Sequence, residues 1–130
     1  SPASVVAAIQ TLADFVSARR RIFVLGDMLE LGERAATYHR EIGKTLGESR
    51  IDHAIIFGAF ADDVAAGAMS TGVSSNRLSV FRDMNTLNIM LDCLLTPGDA
   101  VLVKGSRSMH MERVVESLSA IEMQTQRSAA

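Results

Sequence analysis

Val103-Lys104-Gly105-Ser106-Arg107-Ser108-Met109 gathers a lysine, a glycine, two serines and an arginine into seven residues. Lys104 offers a compact positive charge and Arg107 a planar fork of N–H donors. Ser106, Ser108 and nearby backbone N–H groups add neutral donors. Such a set suits a carboxylate or a phosphate. Read more plainly, the same residues form a solvated basic loop, with Ser108 capping a following helix. A second stretch, Gly26-Asp27-Met28-Leu29-Glu30-Leu31-Gly32-Glu33, carries three carboxylates among glycines. Asp27, Glu30 and Glu33 brought near Lys104 and Arg107 would suit a zwitterion, an amine on the carboxylates and a carboxylate on the cations. Alternatively they would pair with one another across a loop surface, for about 0–1 kcal/mol each.

The remaining reactive side chains point less clearly to chemistry. None of His39, His53 and His110 has a metal-ligand partner three or four residues away. His39 with Glu30 or Glu41 is a conceivable acid–base pair, but packing is the simpler role. His53 falls inside an apolar run and reads as structural. His110 adjoins the basic turn and is kept as a weak ligand contact. Cys93 sits in an apolar helical pattern and is expected to be a small core residue. A single cysteine permits no internal disulfide, which fits a reducing cytoplasm. No strand is followed by G-x-G-x-x-G and no G-x-x-x-x-G-K-[ST] occurs. An NAD-linked dehydrogenase is thereby excluded, and any ATP used is not held here by its phosphates in the usual way.

These loops need elements to position them. Ser1-Pro2 suits a helix start, and Val5, Ile9, Leu12 and Val16 give it one apolar stripe. The Arg19-Arg20-Arg21 run is expected to close that helix, at the negative end of its dipole. Apolar runs at Arg21–Leu25, Ile51–Phe57, Leu78–Phe81 and Ala100–Val103 read as strands. Between them, Ala35, Tyr38, Ile42 and Leu46 mark a second helix, and Phe60, Val64 and Ala68 a third. Leu87, Met90, Leu91 and Leu94 mark a fourth, with Asp83 as its cap. Thr96-Pro97-Gly98-Asp99 is a turn. A last helix places Met111, Val114, Val115, Leu118 and Ile121 on one face, and residues 123–130 are expected to fray. The order α-β-α-β-α-β-α-β-α predicts an α/β fold: a three-layer, Rossmann-like domain with a mainly parallel sheet and helices on both faces. Its loops after strands gather at the carboxyl edge, where such sheets bind ligands.

At 130 residues and a net charge of −2, the chain is one domain without a basic face for nucleic acid. No apolar window is long enough for a membrane span, and no signal-peptide pattern is visible. The chain opens on Ser-Pro and is expected to be a piece of a longer protein.

Leu25-Gly26-Asp27-Met28-Leu29-Glu30-Leu31-Gly32, followed by Glu33 and His39, resembles a signature of the last domain of the Mur ligase family. Val103 to Met109, followed by Met111-Glu112, resembles a second one. Pro2 and Ser4 match the tail of that family's Asn-Ala-Asn-Pro-x-Ser motif, with Ser1 standing where an Asn is expected. The resemblance covers essentially the whole chain. It implies the C-terminal domain, here residues 1–122, of a three-domain, ATP-dependent, amide-forming enzyme of peptidoglycan synthesis. The implied cofactors are ATP and Mg2+, held mainly by a domain absent from this chain. The implied partners are D-alanyl-D-alanine, UDP-N-acetylmuramoyl-tripeptide and the upstream domains of the same polypeptide. Lys104, Ser106 and Arg107 would hold the dipeptide carboxylate or the transferring phosphoryl group. Asp27 and Glu30 would orient the dipeptide amine or contact the ATP ribose. Such a fragment alone is expected to be inactive. Two other readings remain open: a Mur-type ligase domain with a different acceptor, and a non-catalytic Rossmann-like binding module.

Overall fold

The computed structural model describes residues 1–118. Helix α1 (Pro2–Ala13) is followed by strand β1 (Arg21–Leu25), α2 (Ala35–Gly47), β2 (His53–Phe57), α3 (Ala61–Met69), β3 (Leu78–Phe81), α4 (Met84–Leu94) and β4 (Ala100–Lys104). Residues 112–118 form a last helix, α5. The remainder of the expected final helix and the tail expected to fray lie outside the described residues. The four strands form one parallel sheet in the order β3-β2-β1-β4.

The sheet is buried by its own alternation. Phe23, Leu25, Ala54 and Ile56 face a core completed by Val5, Ile9 and Leu12 of α1, Ile42 and Leu46 of α2, and Val64 of α3. Ile22, Val24 and Ile55 face the other way, onto Leu87 and Leu91 of α4 and Met111 and Val114. Helices thus cover both faces, as parallel strands apolar on both sides require. The α1 cap is as read: the Ser1 hydroxyl accepts from the Ser4 N–H, and Pro2 takes the first turn. Asp83 caps α4 through the Thr86 N–H at 2.8 Å.

Four local expectations are corrected. The α1 stripe stops at Leu12, because the helix ends at Ala13; Phe15 and Val16 are 52% and 77% exposed. The arginines do not close α1. Arg19 N–H bonds to Gly98 O at 2.8 Å, and Arg20 grips the Asp99 carboxylate with Nε at 3.0 Å and Nη2 at 2.6 Å. That pull carries the chain away from the helix axis to the turn before β4. Strand β2 starts at His53 rather than Ile51, since the Asp52 carboxylate takes the Arg21 N–H at 2.7 Å. Cys93 is exposed, on the side of α4 away from Leu87 and Leu91.

His53 keeps a structural role. Its Nε2 lies 2.9 Å from Ser79 Oγ on the neighbouring strand. Burial, then Arg20 and Arg77, lower its pKa.

Candidate functional site

The strand order sets the place. β1 is central, β2 and β3 lie to one side, and β4 returns on the other after α4 crosses the sheet. The direction of winding therefore reverses between β1 and β4, and the crevice outside their carboxyl ends is where open α/β sheets bind ligands. Leu25 is in register with Lys104, so the two strands end level and release their loops side by side.

Backbone and hydroxyl bonds stitch these loops together. Gly26 N–H donates to Lys104 O at 2.8 Å, and Ser106 N–H donates to Asp27 O at 3.2 Å. Leu29 N–H donates to Ser106 Oγ at 2.9 Å. Ser106 thus spends an oxygen lone pair on the protein and retains its O–H for a ligand. After Ser106 the chain makes a short 3-10 turn (Arg107–Met109) and a left-handed residue, His110, before residues 112–118. Ser108 therefore does not cap the following helix, and it stands exposed at the crevice.

Two depressions flank this turn. One, of about 400 Å³, is lined by Leu29, Glu30, Ser106, Arg107 and Ser108. The other, of about 280 Å³, is lined by Lys104, Gly105, Ser106, Arg107, Met111 and Glu112 among others. Ser106 and Arg107 belong to both. The first is lined by one carboxylate residue and one guanidinium residue, the pair of charges a zwitterion needs. The second has two cations and one carboxylate. Among the described residues, Glu30, Glu33, Lys104 and Arg107 form no ion pairs, so their charges are not spent on one another.

The structure brings Glu30, Lys104, Ser106 and Arg107 together and separates Asp27 and Glu33 from them. Asp27 is 5% exposed. Its carboxylate accepts from Ala59 N–H at 2.8 Å and Phe60 N–H at 3.1 Å, anchoring the loop to the start of α3. Gly58 makes this possible: its φ is +123°, and a side chain there would collide with the Asp27 carboxylate. Glu33 lies on the exposed 3-10 turn Gly32–Arg34 and lines neither depression. The carboxylates in the first turn of α3 pair elsewhere, Asp62 with Arg82 and Asp63 with Arg40. His110 lines neither depression, and its Nδ1 lies 3.4 Å from Glu112.

Two residues named in the sequence take places that the sequence reading did not assign them. Glu112 lines the depression beside Lys104, and its place directly after the basic motif was the available signal. His39 reaches the acidic loop from α2, with Nε2 3.0 Å from Met28 N and Nδ1 2.7 Å from Ala35 O. It makes no bond to Glu30 or Glu41. Nothing in linear spacing indicates that contact.

Residues 1–107 match the family described as Mur ligase, glutamate ligase domain. The UDP-N-acetylmuramoyl-tripeptide–D-alanyl-D-alanine ligase of Bacillus subtilis is 33% identical over 118 residues, covering 91% of this chain and 26% of its own length. The Escherichia coli protein of the same name is 32% identical over 117 residues, covering 88% of this chain and 24% of its own. A crystal structure of MurF from Acinetobacter baumannii superposes with a TM-score of 0.80 at 32% identity, covering 91% of this chain and 26% of that one. MurF ligase from Thermotoga maritima, in complex with ADP, gives 0.70 at 27% identity, covering 90% and 25%. The chain spans about a quarter of the length of these relatives.

Proposed function

Because the chain belongs to the Mur ligase family, matched over residues 1–107, we propose that it is the acceptor-binding C-terminal domain of a cytoplasmic, ATP-dependent ligase of peptidoglycan synthesis. The whole polypeptide joins D-alanyl-D-alanine to UDP-N-acetylmuramoyl-tripeptide. One observation carries the acceptor role: Glu30 and Arg107 line the same depression of about 400 Å³ at the point where the strand order reverses. That volume falls in the range of small-molecule sites. The names of the relatives support the choice of dipeptide.

In the proposed chemistry, ATP transfers its terminal phosphoryl group to the terminal carboxylate of the UDP-linked peptide. The dipeptide amine attacks the resulting acyl phosphate and gives up a proton. The tetrahedral intermediate then expels phosphate and leaves the amide. This chain's residues bind and orient. Arg107 takes the dipeptide carboxylate, Ser106 adds its O–H, and Glu30 turns the ammonium end toward the neighbouring domain. Lys104 faces the second depression and suits the charge of a phosphoryl group there. Asp27 acts through the loop it anchors. Holding the amine against the activated carbonyl supplies rate by orientation, and a domain that closes on its neighbours delivers it.

ATP and Mg2+ belong in this proposal to the whole polypeptide. The Thermotoga relative's ADP supports a nucleotide. Lys104 and Arg107 fit a phosphate, whereas the described residues include no cluster of three or more His, Cys, Asp or Glu able to hold a metal. Among the described residues no helix is long and apolar enough to cross a membrane.

The test is amide formation by the full-length polypeptide with ATP, UDP-N-acetylmuramoyl-tripeptide and either D-alanyl-D-alanine or single amino acids. Product with the dipeptide, and none from the 130-residue chain alone, is the expected result. Preference for a single amino acid would support a different Mur-type ligase. No ligation with any acceptor would support a non-catalytic module.

A further inference from the structure

His39 is a titratable group that the proposed chemistry does not use, yet it is among the most buried side chains, at 1% exposure. Its two nitrogens meet partners of opposite kind. The Ala35 carbonyl 2.7 Å from Nδ1 only accepts, and the Met28 amide 3.0 Å from Nε2 only donates. Both bonds form together only on a neutral ring protonated at Nδ1. The ring face stacks on Phe60, with centroids 4.5 Å apart and planes 16° apart. Phe60 N–H is itself bonded to Asp27. One imidazole therefore joins the acidic loop, α2 and the first turn of α3.

We propose that His39 is a positioning residue for the acceptor site. It fixes the Met28 amide, and thereby where Leu29 and Glu30 stand against Ser106 and Arg107. The next amide along, Leu29 N–H, is the one bonded to Ser106 Oγ. A displacement at Met28 therefore reaches, within one peptide unit, the bond that joins the two loops. Packing alone would ask only for a flat ring of this size in contact with Phe60. Beyond that contact, the acceptor lone pair on Nε2 is what holds the Met28 amide. The ligand affected is the dipeptide proposed above, on which this inference rests.

Two substitutions in the full-length polypeptide separate the alternatives. H39F keeps a flat ring against Phe60 and has no acceptor for Met28. H39Q can present a carbonyl oxygen where Nε2 stood. With H39F, the KM for D-alanyl-D-alanine is expected to rise about tenfold or more while that for ATP stays within about twofold, because the acceptor loop alone is displaced. H39Q is expected to recover most of the loss. H39N is too short to reach Met28 and should behave as H39F does, which covers the case that the phenylalanine variant fails to fold. Without any substrate, hydrogen–deuterium exchange in residues 26–33 should be faster with H39F and near wild type with H39Q. Unchanged exchange with H39F would overturn the inference. So would H39Q being as impaired as H39F, or equal rises in both KM values with a lowered melting temperature. If exchange responds as expected but no variant alters the dipeptide KM, the positioning stands and the dipeptide assignment fails.

Discussion

Glu30 has a backbone φ of 61°, a left-handed conformation in which a side chain other than glycine, asparagine or aspartate is uncommon. Holding it there costs on the order of 1 kcal/mol, which a stability argument alone would remove by placing glycine. In the proposed acceptor site, a carboxylate lining the depression is the compensating reason to keep a glutamate. E30G therefore separates stability from binding. Thermal unfolding should show no loss of stability, with a gain of up to about 1 kcal/mol, while the dipeptide KM of the full-length enzyme rises about tenfold. A destabilised E30G with unaltered KM would contradict that assignment. At this scale the sequence was partly legible. Side-chain type and loop membership singled out Glu30, Lys104, Ser106 and Arg107. Asp27 has the same chemistry as Glu30, and only the three-dimensional approach of the Ala59 and Phe60 amides shows that its carboxylate faces α3.

At the scale of elements, the acidic loop is held from below by α2 and α3, which pack with their backbones nearly touching. A side chain on Gly67 would overlap the Arg40 carbonyl oxygen, and one on Gly43 would overlap that of Val64. G67A should therefore force the helices apart and destabilise the domain by about 3 kcal/mol, the upper part of the usual range for overpacking, measured by denaturant unfolding. An unperturbed midpoint would mean that the helix pair yields more easily than its geometry suggests. The strands were legible because a sheet covered on both faces writes itself as short continuous apolar runs. The end of α1 was not. Val16 continues the helical spacing, but the Arg20–Asp99 grip, spanning most of the chain length, sends the backbone elsewhere. A contact between residues so far apart leaves no local trace. The cysteine misled for a related reason, since an apolar helix exposes one side whatever residues occupy it.

Across the whole molecule, the Arg20–Asp99 pair ties the entry of β1 to the entry of β4 and so holds the two strands whose far ends make the site. Asp99 has a side chain only 2% exposed. The Arg20 bond, with help from the Thr96 N–H, lowers its pKa to about 2 against the opposing effect of burial. A carboxylate with a depressed native pKa contributes stability above its unfolded value of 3.8 and loses it as pH falls toward 2. His53, also lowered, acts in the same sense as pH falls below 6.5. Unfolding midpoints should therefore decline in acid, and D99N should cost about 2 kcal/mol near neutral pH by removing the charge that Arg20 grips, Arg20 keeping its bond to the Leu94 carbonyl. D99N should also flatten the decline below pH 4, a window set by the Asp99 values; a D99N curve parallel to wild type there would assign the acid sensitivity to other groups. The far end of the same two strands carries the central claim, that this domain presents the acceptor between Glu30 and Arg107. The most direct measurement is the D-alanyl-D-alanine KM and turnover of R107A and K104A in the full-length polypeptide. R107A should raise the dipeptide KM about tenfold or more and leave the KM for ATP nearly unchanged; K104A should chiefly lower turnover. Wild-type kinetics in both variants would contradict the claim.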